Sequence, residues 1–403
     1  MKVLGITAEY NPFHNGHRYH LEKALEATCA DYTVAVMSGN FTQRGEPVIL
    51  DKWTRSRLAV ENGIDLVFEL PFVFACNRAE CFASGAVDIL SLAGVTDIAF
   101  GSENGDTEQI RELVRDINKN EESIYSLRKT GMKSGNSFAK ANHNAVRAVL
   151  GEEKAVLMEE PNNILAMEYI RRIDYWEHRG YHIEPHAVKR HGADYRTYNE
   201  AEGFAGAAAI RSMLCQGKAD YNTLAKYVPE NVAEALRGIE NHKRAQEREF
   251  LLLKGELLRK SGDELSEIYC VGEGIESKLK KEIVRAESME EIVSAVTSRR
   301  YTGAAVRRIL TYILMGIKGK EPACGYYGRV LAAGEKGRKY LRMMKNDDSI
   351  TLPLITNVNK EAEACEKFRS SLERDFLASD IYNLTRGRNI YDFSDRVVRP
   401  YMA

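Results

Sequence analysis

Residues 1–20, MKVLGITAEYNPFHNGHRYH, give the strongest indication of the type of fold. The apolar run from Val3 to Ala8 is followed at once by turn-forming residues, which is typical of a buried strand. The dipeptide Asn11-Pro12 predicts a turn, and from His17 onward apolar residues recur at helical spacing. The stretch therefore predicts a strand that passes through a turn into a helix, with two histidines and a glycine at the junction.

This junction has the residue types of an anion-binding site. A helix N-terminus offers unpaired N–H groups and partial positive charge, and Gly16 lets a phosphate chain approach the backbone closely. His14 and His17 are three residues apart, so both imidazoles can donate hydrogen bonds to one phosphate-bearing ligand. Taken alone, the pattern His-x-Gly-His also fits surface or capping histidines. The strand before it and the amphipathic helix after it favour the phosphate site.

Length and composition predict a globular protein with two domains. The chain has 403 residues, 44% of them hydrophobic and 29% charged, and a formal net charge of -1. No apolar run approaches the roughly 18 residues of a membrane span, and the N-terminal run leads into the motif instead of a cleavage site. Seven dispersed cysteines lack metal-ligand spacing. We therefore expect a cytoplasmic protein with free thiols and no structural metal.

Strand and helix patterns alternate through the first 215 residues. Further strand-like runs are 32–37, 64–70, 96–100 and 182–188. Asp51 is predicted to cap a helix that ends near Asn62, with Lys52 and Arg55 on its polar side. Such alternation predicts an α/β fold, a Rossmann-like doubly wound parallel sheet with helices on both faces.

Polar residues follow several of these strands, where open α/β sheets bind ligands. They are Asn40, Gln43 and Arg44 in the loop 38–47, Gly101 after the fourth strand, and Arg190 and His191 after the last. Asn162 lies in the first turn of a helix that Pro161 opens. By position alone these residues fit turns, caps or solvated loops about equally well. The polar segment 133–143 is predicted to lie at the mouth of the site as a lid or an insertion.

The second half of the chain is mostly helical, with strand-like runs at 326–332 and 350–355. Between Arg299 and Lys345, twelve Lys or Arg residues stand against two Glu. Basic runs are usually solvated helix faces, but arginines beside an aromatic residue also fit a nucleic-acid surface. The residues predicted to contact RNA are Arg299, Arg300, Arg307 and Arg308. We predict domains at 1–215 and 216–403, the second a basic, mostly helical α+β unit.

The run ITAEYNPFHNGHRYHL is identified as the nucleotidyltransferase form of the HIGH signature, and it resembles the start of the bacterial tRNA(Met) cytidine acetate ligase family. Residues 203–214, GFAGAAAIRSML, resemble the second signature of nucleotidyltransferases, usually ISSTxxR. The serine and threonine of that signature are absent here, and Arg211 remains as a phosphate clamp. The resemblance extends over nearly the whole chain and implies a sheet of the nucleotidyltransferase type.

What the resemblance implies about the site is an ATP-binding set that wraps the nucleotide. That set is Thr7, Ala8, Glu9, Tyr10, Asn11, Pro12, Phe13, His14, Asn15, Gly16, His17, His20, Gly101, Asn162, Arg190 and His191. His14, His17 and Arg211 would stabilise the reacting phosphates.

The resemblance also implies a two-step reaction with ATP and acetate as substrates. Acetate attacks ATP to give acetyl-adenylate and pyrophosphate. The exocyclic amine of the wobble cytidine of elongator tRNA(Met) then takes the acetyl group, which gives N4-acetylcytidine and AMP. The basic second domain would hold the tRNA. No protein partner is implied, and a Mg²⁺ ion that accompanies ATP is left open.

Two other functions fit the same sequence. One is a small-molecule adenylyltransferase, of the pantetheine-phosphate or nicotinate mononucleotide type, which needs the first half but no basic second domain. The other is a non-catalytic RNA-binding module with a relict nucleotide site. Acetate-dependent release of pyrophosphate would support the ligase, transfer of AMP to a phosphorylated cofactor would support the adenylyltransferase, and failure to bind ATP would leave the RNA-binding module.

Overall fold

A computed structural model of the chain describes residues 1–190, 204–216, 220–237, 239, 242–319, 325–364 and 366–403. Within these ranges one sheet holds eight strands. They are β1 (Val3–Ala8), β2 (Tyr32–Ser38), β3 (Leu66–Leu70), β4 (Asp97–Ser102), β5 (Glu184–Lys189), β6 (Gly328–Ala333), β7 (Leu354–Ile355) and β8 (Tyr401–Met402).

Helices connect and cover these strands. Those in the first half are α1 (Asn15–Thr28), α2 (Lys52–Glu61), α3 (Phe72–Ala75), α4 (Ala79–Leu92), α5 (Thr107–Lys119), α6 (Glu121–Lys133), α7 (Phe138–Leu150), α8 (Glu152–Val156), α9 (Pro161–Glu177) and α10 (Ala207–Cys215). Those that follow are α11 (Tyr221–Leu224), α12 (Glu230–Arg237), α13 (His242–Arg259), α14 (Gly262–Ser266), α15 (Ile275–Ile283), α16 (Met289–Val296), α17 (Gly303–Met315), α18 (Glu335–Asn346), α19 (Val358–Ala364) and α20 (Glu366–Thr385). Across the described ranges, none of these helices combines the length and the apolar character that a membrane span requires.

The predicted doubly wound parallel sheet is confirmed. Its order is β5-β4-β1-β2-β3, and every neighbouring pair in this set is parallel. Alternate residues of a strand enter different layers, because side chains point to opposite faces of a sheet. In β2, Val34 and Val36 pack in a cluster with residues of α4 and α9, whereas Ala35 and Met37 pack with residues of α1 and α2. Helices therefore cover both faces.

The last three strands extend this sheet from the far end of the chain. β6 runs antiparallel to β3, and β7 and β8 each pair parallel with β6. The sheet of the first half is thus completed by residues after 325. Helices α13, α15, α16 and α17 build a separate apolar cluster that also includes Phe41 and Phe72. The division of the chain at residue 215 stays a prediction.

The prediction that α2 has a polar side is wrong for two of the residues assigned to that side. Asp51 caps the helix as predicted and accepts from Thr54 N–H at 2.9 Å. Lys52 and Arg55, however, are 0% and 1% exposed. Their burial is tolerated because each finds partners from distant parts of the chain, since a buried charge must be paired and hydrogen-bonded.

Lys52 belongs to a buried ionic cluster. Its Nζ lies 2.6 Å from a carboxylate oxygen of Glu69 in β3 and 2.6 Å from one of Asp395 in the C-terminal segment. Arg329 of β6 contacts the same two carboxylates at 3.0 and 2.8 Å. Burial alone would raise the pKa of Asp395, but Arg329 and Lys52 hold that pKa below its usual value. The cluster ties the end of the chain to the centre of the sheet.

Candidate active site

A cavity of about 670 Å³ opens at the carboxyl ends of β1, β4 and β5. Thr7 and Ala8 from the end of β1, Gly101 from β4 and Lys189 from β5 line it. This is the edge at which open α/β sheets bind ligands, and the volume lies in the range of about 300–1,000 Å³ found for small-molecule sites.

Most residues predicted to bind ATP meet at this cavity. Those that line it are Thr7, Ala8, Glu9, Tyr10, Asn11, His14, Gly16, His17, His20, Gly101, Asn162 and Arg190. Gln43 and Arg44 of the loop 38–47, Arg211 of α10 and Arg308 of α17 also line it. Residues that lie more than 200 positions apart are therefore brought to one place.

Among the described residues, three that were predicted to bind ATP do not contribute to the lining. Phe13 is 1% exposed and packs beneath His17, with ring centroids 5.6 Å apart. The Asn15 side chain donates to the carbonyl of Lys226 at 3.0 Å. Pro12 is buried, and His191 lies outside the described residues. Asn40, expected as a ligand contact, instead supports the loop by hydrogen bonds to Ser379 and the Lys52 backbone.

His14 and His17 form the centre of the site. Their rings are stacked, with centroids 3.7 Å apart, at the start of α1. The backbone N–H of His14 donates to Nδ1 of His17 at 3.2 Å. A Cβ atom at position 16 would lie 2.9 Å from Cε1 of His14, so only glycine fits beside this ring. The absence of a side chain at Gly16 thus leaves the space in which the His14 imidazole lies.

Two imidazole nitrogens at the cavity are buried without a partner. Nδ1 of His14 and Nε2 of His20 make no hydrogen bond to any described residue. Buried polar atoms in native proteins are nearly always paired, and an exception indicates a ligand or a catalytic role. Tyr10, which packs edge-on against His17, has a left-handed backbone with φ 46°. Such strain in a residue other than glycine concentrates at functional sites.

All three histidines are neutral near pH 7. Burial, reinforced by Arg190 and Arg211, lowers the pKa of His14 to about 3. Burial also lowers the pKa of His20 to about 4 and holds that of His17 well below its usual value. A bound anion would oppose these shifts, because negative charge favours the imidazolium form. In the unliganded site, no nearby negative charge is strong enough to favour the imidazolium form of these histidines.

Two arginines border the histidines. Arg211 donates to the carbonyl of Asn11 at 2.8 Å and lies 3.6 Å from a carboxylate oxygen of Glu46. Arg190 passes close to Gly101, whose added Cβ would be 3.6 Å from Cγ of the arginine. Guanidinium groups bind phosphate through several N–H donors at once. The N-terminal turn of α10 completes this wall with the small residues Gly206, Ala207 and Ala208.

Part of the cavity wall is apolar. Phe82, Phe100, Ile164, Leu165 and Tyr169 line it. Asn162 lies beside them, and its Nδ2 donates to Glu103 at 2.5 Å. The same carboxylate accepts from the backbone N–H of Asn163 at 3.0 Å and so caps α9. Glu103 is a positioning residue that no local sequence signal singles out, because its partners lie about 60 residues away.

Arg55 is a second residue whose contribution to the site was not predicted from the sequence. It donates to the carbonyl oxygens of Leu50 at 2.9 Å, Glu9 at 2.5 Å and Ser38 at 3.0 Å, and it also donates to Gly39. The ends of β1 and β2 are thereby held together by one guanidinium group. An arginine at a helix position expected to face solvent gave no signal of this role.

The basic residues predicted to contact RNA have different surroundings. Arg308 lines the cavity and donates to the carbonyl of Gln43 at 3.3 Å. Arg307 lies 3.6 Å from Glu46 and 3.6 Å from Glu290. Arg299 and Arg300 are exposed, and Arg300 pairs with Glu273.

Arg299 contacts the segment 133–143. Its guanidinium donates twice to Oδ1 of Asn136, at 3.0 and 2.8 Å. Ala139 of the same segment lines the cavity. The segment therefore contacts both the cavity lining and the basic region, and its predicted position at the mouth of the site stays a prediction.

The model of the HIGH Nucleotidyl Transferase family matches residues 1–395. Over 393 residues, 95% of each chain, the sequence is 40% identical to the tRNA(Met) cytidine acetate ligase of Thermoanaerobacter sp. (strain X514). The chain belongs to this family of HIGH nucleotidyltransferases. The resemblance inferred from the motif is confirmed.

Solved structures are similar over the full length. The apo crystal structure of Thermotoga maritima TmcAL has a TM-score of 0.86 and 31% sequence identity, and the match covers 100% of this chain and 99% of that chain. The crystal structure of the same protein bound with alpha-thio ATP matches with the same values. Family membership and fold are thus supported by sequence and by structure.

Proposed function

We propose that the protein is an ATP-dependent acetate ligase that acetylates the wobble cytidine of elongator tRNA(Met) to N4-acetylcytidine. Acetate and ATP would give acetyl-adenylate and pyrophosphate, and acetyl transfer to the cytidine amine would release AMP. The observation that carries this proposal is the stacked His14–His17 pair, bordered by Arg190 and Arg211 at the carboxyl edge of a parallel sheet. The name of the relative supplies acetate and the cytidine of tRNA(Met) as substrates, and the solved relative bound with alpha-thio ATP supports ATP.

The proposed nucleotide pose follows the polarity of the cavity. The phosphates would occupy the end with the histidines, Gly16 and the arginines, because positive charge and helix N-termini favour anions there. The adenine would lie against the apolar wall beside Asn162 and Gly101. The solved relative bound with alpha-thio ATP supports nucleotide binding by this fold.

The proposed first step needs charge stabilisation and alignment. A carboxylate oxygen of acetate attacks the α-phosphorus of ATP, the bond to the bridging oxygen breaks, and pyrophosphate leaves with the electron pair. His14, His17 and Arg211 would stabilise the negative charge on the phosphate oxygens, which for one donor contributes about 10²–10³-fold in rate. No covalent enzyme intermediate is required.

A metal ion, where ATP brings one, is proposed to bind mainly through the phosphates. Among the described residues, no group of three or more His, Cys, Asp or Glu side chains is placed to hold a metal. Mg²⁺ typically binds through substrate phosphates with one or two carboxylates.

The exposed part of the basic region is proposed to hold the tRNA, in the cytoplasm. Arg299 and Arg300 lie next to the segment predicted to lie at the cavity mouth, so an RNA loop held there could reach the site. Cys29, Cys76, Cys81, Cys215 and Cys270 are free thiols, which fits a reducing compartment.

A component-omission assay tests the function. The protein is incubated with ATP and radiolabelled pyrophosphate, with and without acetate, and then with tRNA(Met), whose nucleosides are analysed by mass spectrometry. Acetate-dependent pyrophosphate exchange followed by N4-acetylcytidine formation is the expected result. Transfer of AMP to a phosphorylated pantetheine or to nicotinate mononucleotide would favour the adenylyltransferase alternative, and failure to bind ATP would favour the RNA-binding module.

A further inference from the structure

Glu9 lies at the cavity in a fixed orientation. It directly follows β1, and its Oε1 accepts a hydrogen bond from the backbone N–H of Gln43 at 2.7 Å. Its own carbonyl oxygen accepts one from Arg55 at 2.5 Å. The second carboxylate oxygen, Oε2, has no hydrogen-bond partner among the described residues. One oxygen is thus used to hold the side chain, and the other is available to a ligand in the cavity.

The surroundings of Glu9 suit a proton acceptor. The charged and titratable groups around it are Arg55 of α2, Cys76 after α3, Tyr169 of α9, Arg211 of α10 and Glu46 of the loop 38–47. Burial raises the pKa of Glu9 above its usual value, against the smaller opposite effects of the Gln43 hydrogen bond and the two arginines. A carboxylate with a raised pKa is a stronger base than one on the surface, so it accepts a proton more readily.

Acetyl transfer to cytosine releases a proton, which such a group can accept. The exocyclic nitrogen is a weak nucleophile, and once it bonds to the acyl carbon it must lose a proton before AMP leaves. A positioned general base typically contributes about 10²–10⁴-fold to such a step. Glutamate is also a residue type that recognises cytosine, because its carboxylate accepts a hydrogen bond from the N4 amine.

We propose that Oε2 of Glu9 binds the exocyclic amine of the acceptor cytosine and takes its proton during acetyl transfer. The nitrogen lone pair forms a bond to the acyl carbon, and the bond from that carbon to the phosphate oxygen of the adenylate breaks. AMP leaves with the electron pair, and one N–H proton moves to Glu9. This assignment rests on the acetate ligase function proposed above and adds a catalytic residue to its second step.

The other candidates at the cavity are less suited. Glu46 also lines the cavity, but its two carboxylate oxygens each lie 3.6 Å from an arginine, Oε2 from Arg211 and Oε1 from Arg307. His14 and His20 have pKa values lowered to about 3 and about 4, so neither holds a proton well. Their position beside Arg190 and Arg211 also assigns them to the phosphates.

The experiment separates the two half-reactions in the Glu9→Gln variant. The amide oxygen of glutamine can still accept from Gln43, so the loop contact is preserved while the base is removed. Because Glu9 also belongs to the predicted ATP-binding set, acetate-dependent pyrophosphate exchange is expected to fall as well, but by much less than acetyl transfer. Single-turnover transfer of the acetyl group to tRNA(Met) is expected to fall by about 10²-fold or more.

The pH dependence of the acetyl transfer rate is a second measurement. It would not change on substitution if Glu9 had only a structural role. In the wild type, the transfer rate rises with pH through the raised pKa of Glu9, because the deprotonated form is the base. That rise is expected to be missing in Glu9→Gln and retained in Glu9→Asp, which keeps a carboxylate. Should Glu9→Gln fail to fold, the profile of Glu9→Asp against wild type still tests the assignment, since a shorter carboxylate must slow transfer more than exchange.

Three results would overturn the assignment. One is unchanged transfer in Glu9→Gln. Another is an equal loss of exchange and transfer, which would place Glu9 at the nucleotide or its metal ion. The third is loss of the pH-dependent rise in Glu46→Gln instead. If the wild type itself shows no acetate-dependent exchange, the proposed function has failed, and that outcome is distinct from all three.

Discussion

His14, His17 and His20 are neutral in the free protein because they are buried beside cationic groups. Without a ligand these imidazoles resist protonation. A bound triphosphate would supply negative charge, which favours the protonated imidazolium form. Nucleotide binding should therefore take up protons. Stability and binding are linked through the same imidazoles.

This linkage predicts an acid-sensitive free protein. Below about pH 6.5 the unfolded chain binds protons on these histidines while the folded chain does not, so the free energy of unfolding falls as pH falls. The pKa of about 3 for His14 implies a loss of about 1–2 kcal/mol from that residue at pH 5. Denaturant titrations at pH 7 and pH 5 measure it, with and without a non-hydrolysable ATP analogue.

The loss should be smaller with the analogue bound and smaller in His14→Gln, which cannot titrate. His178→Gln is the matched control, because His178 is exposed on the end of α9. An equal loss in the wild type and in His14→Gln would show that His14 does not resist protonation.

At the scale of single elements, the order of strands and helices in the first half follows from the sequence pattern. Each parallel strand is an apolar run, so its position is visible locally. The burial of Lys52 and Arg55 is not visible in this way, because their partners include Asp395, 343 residues from Lys52. A local pattern assigns a charged residue to solvent unless the distant partner is known.

Arg55 is predicted to be essential for the edge of the sheet. Arg55→Leu leaves the buried carbonyl oxygens of Glu9, Ser38 and Leu50 without their donor, so we expect a loss of about 3–5 kcal/mol in the free energy of unfolding. Arg57→Leu on the same helix is the control, because the Arg57 side chain is 47% exposed. Chemical denaturation that shows equal effects for the two variants would contradict this role.

At the scale of the whole molecule, the second half of the chain completes the site built by the first. Helix α17 packs on the loop 38–47, where an added Cβ at Gly45 would lie 2.8 Å from the backbone nitrogen of Arg308. Gly45 also has φ +78°, a conformation that favours glycine. Thr311 Oγ1 donates to the carbonyl of Gly45 at 2.8 Å. This packing brings Arg308 to the cavity.

Such long-range packing is the part that the sequence could not predict. The motif placed His14, His17 and Gly16 at a strand-to-helix junction, and the alternating pattern gave the parallel sheet. The pairing of β6 with β3 joins residues more than 250 positions apart, and no local signal specifies it. For the same reason the sequence does not distinguish the arginines of the basic run from one another, although Arg308 lines the cavity and Arg299 is exposed.

The exposed pair Arg299 and Arg300 is predicted to bind tRNA. The double variant Arg299→Ala, Arg300→Ala should weaken tRNA binding and reduce its salt dependence by about one unit of slope per lost phosphate contact, with ATP affinity unchanged. Filter binding across salt concentrations measures the slope. Arg115→Ala, Lys119→Ala removes two exposed charges from α5 as a control. Equal loss of tRNA and ATP affinity would mean that the arginines have a structural role.

The N-terminal imidazoles are proposed to hold the phosphates of ATP during adenylate formation. The most direct measurement is acetate-dependent pyrophosphate exchange by His17→Ala, compared with His178→Ala as an exposed control. We expect a loss of about 10²-fold or more for His17→Ala, the scale of one charge-stabilising donor, and none for the control. Wild-type exchange by a folded His17→Ala protein would contradict the claim.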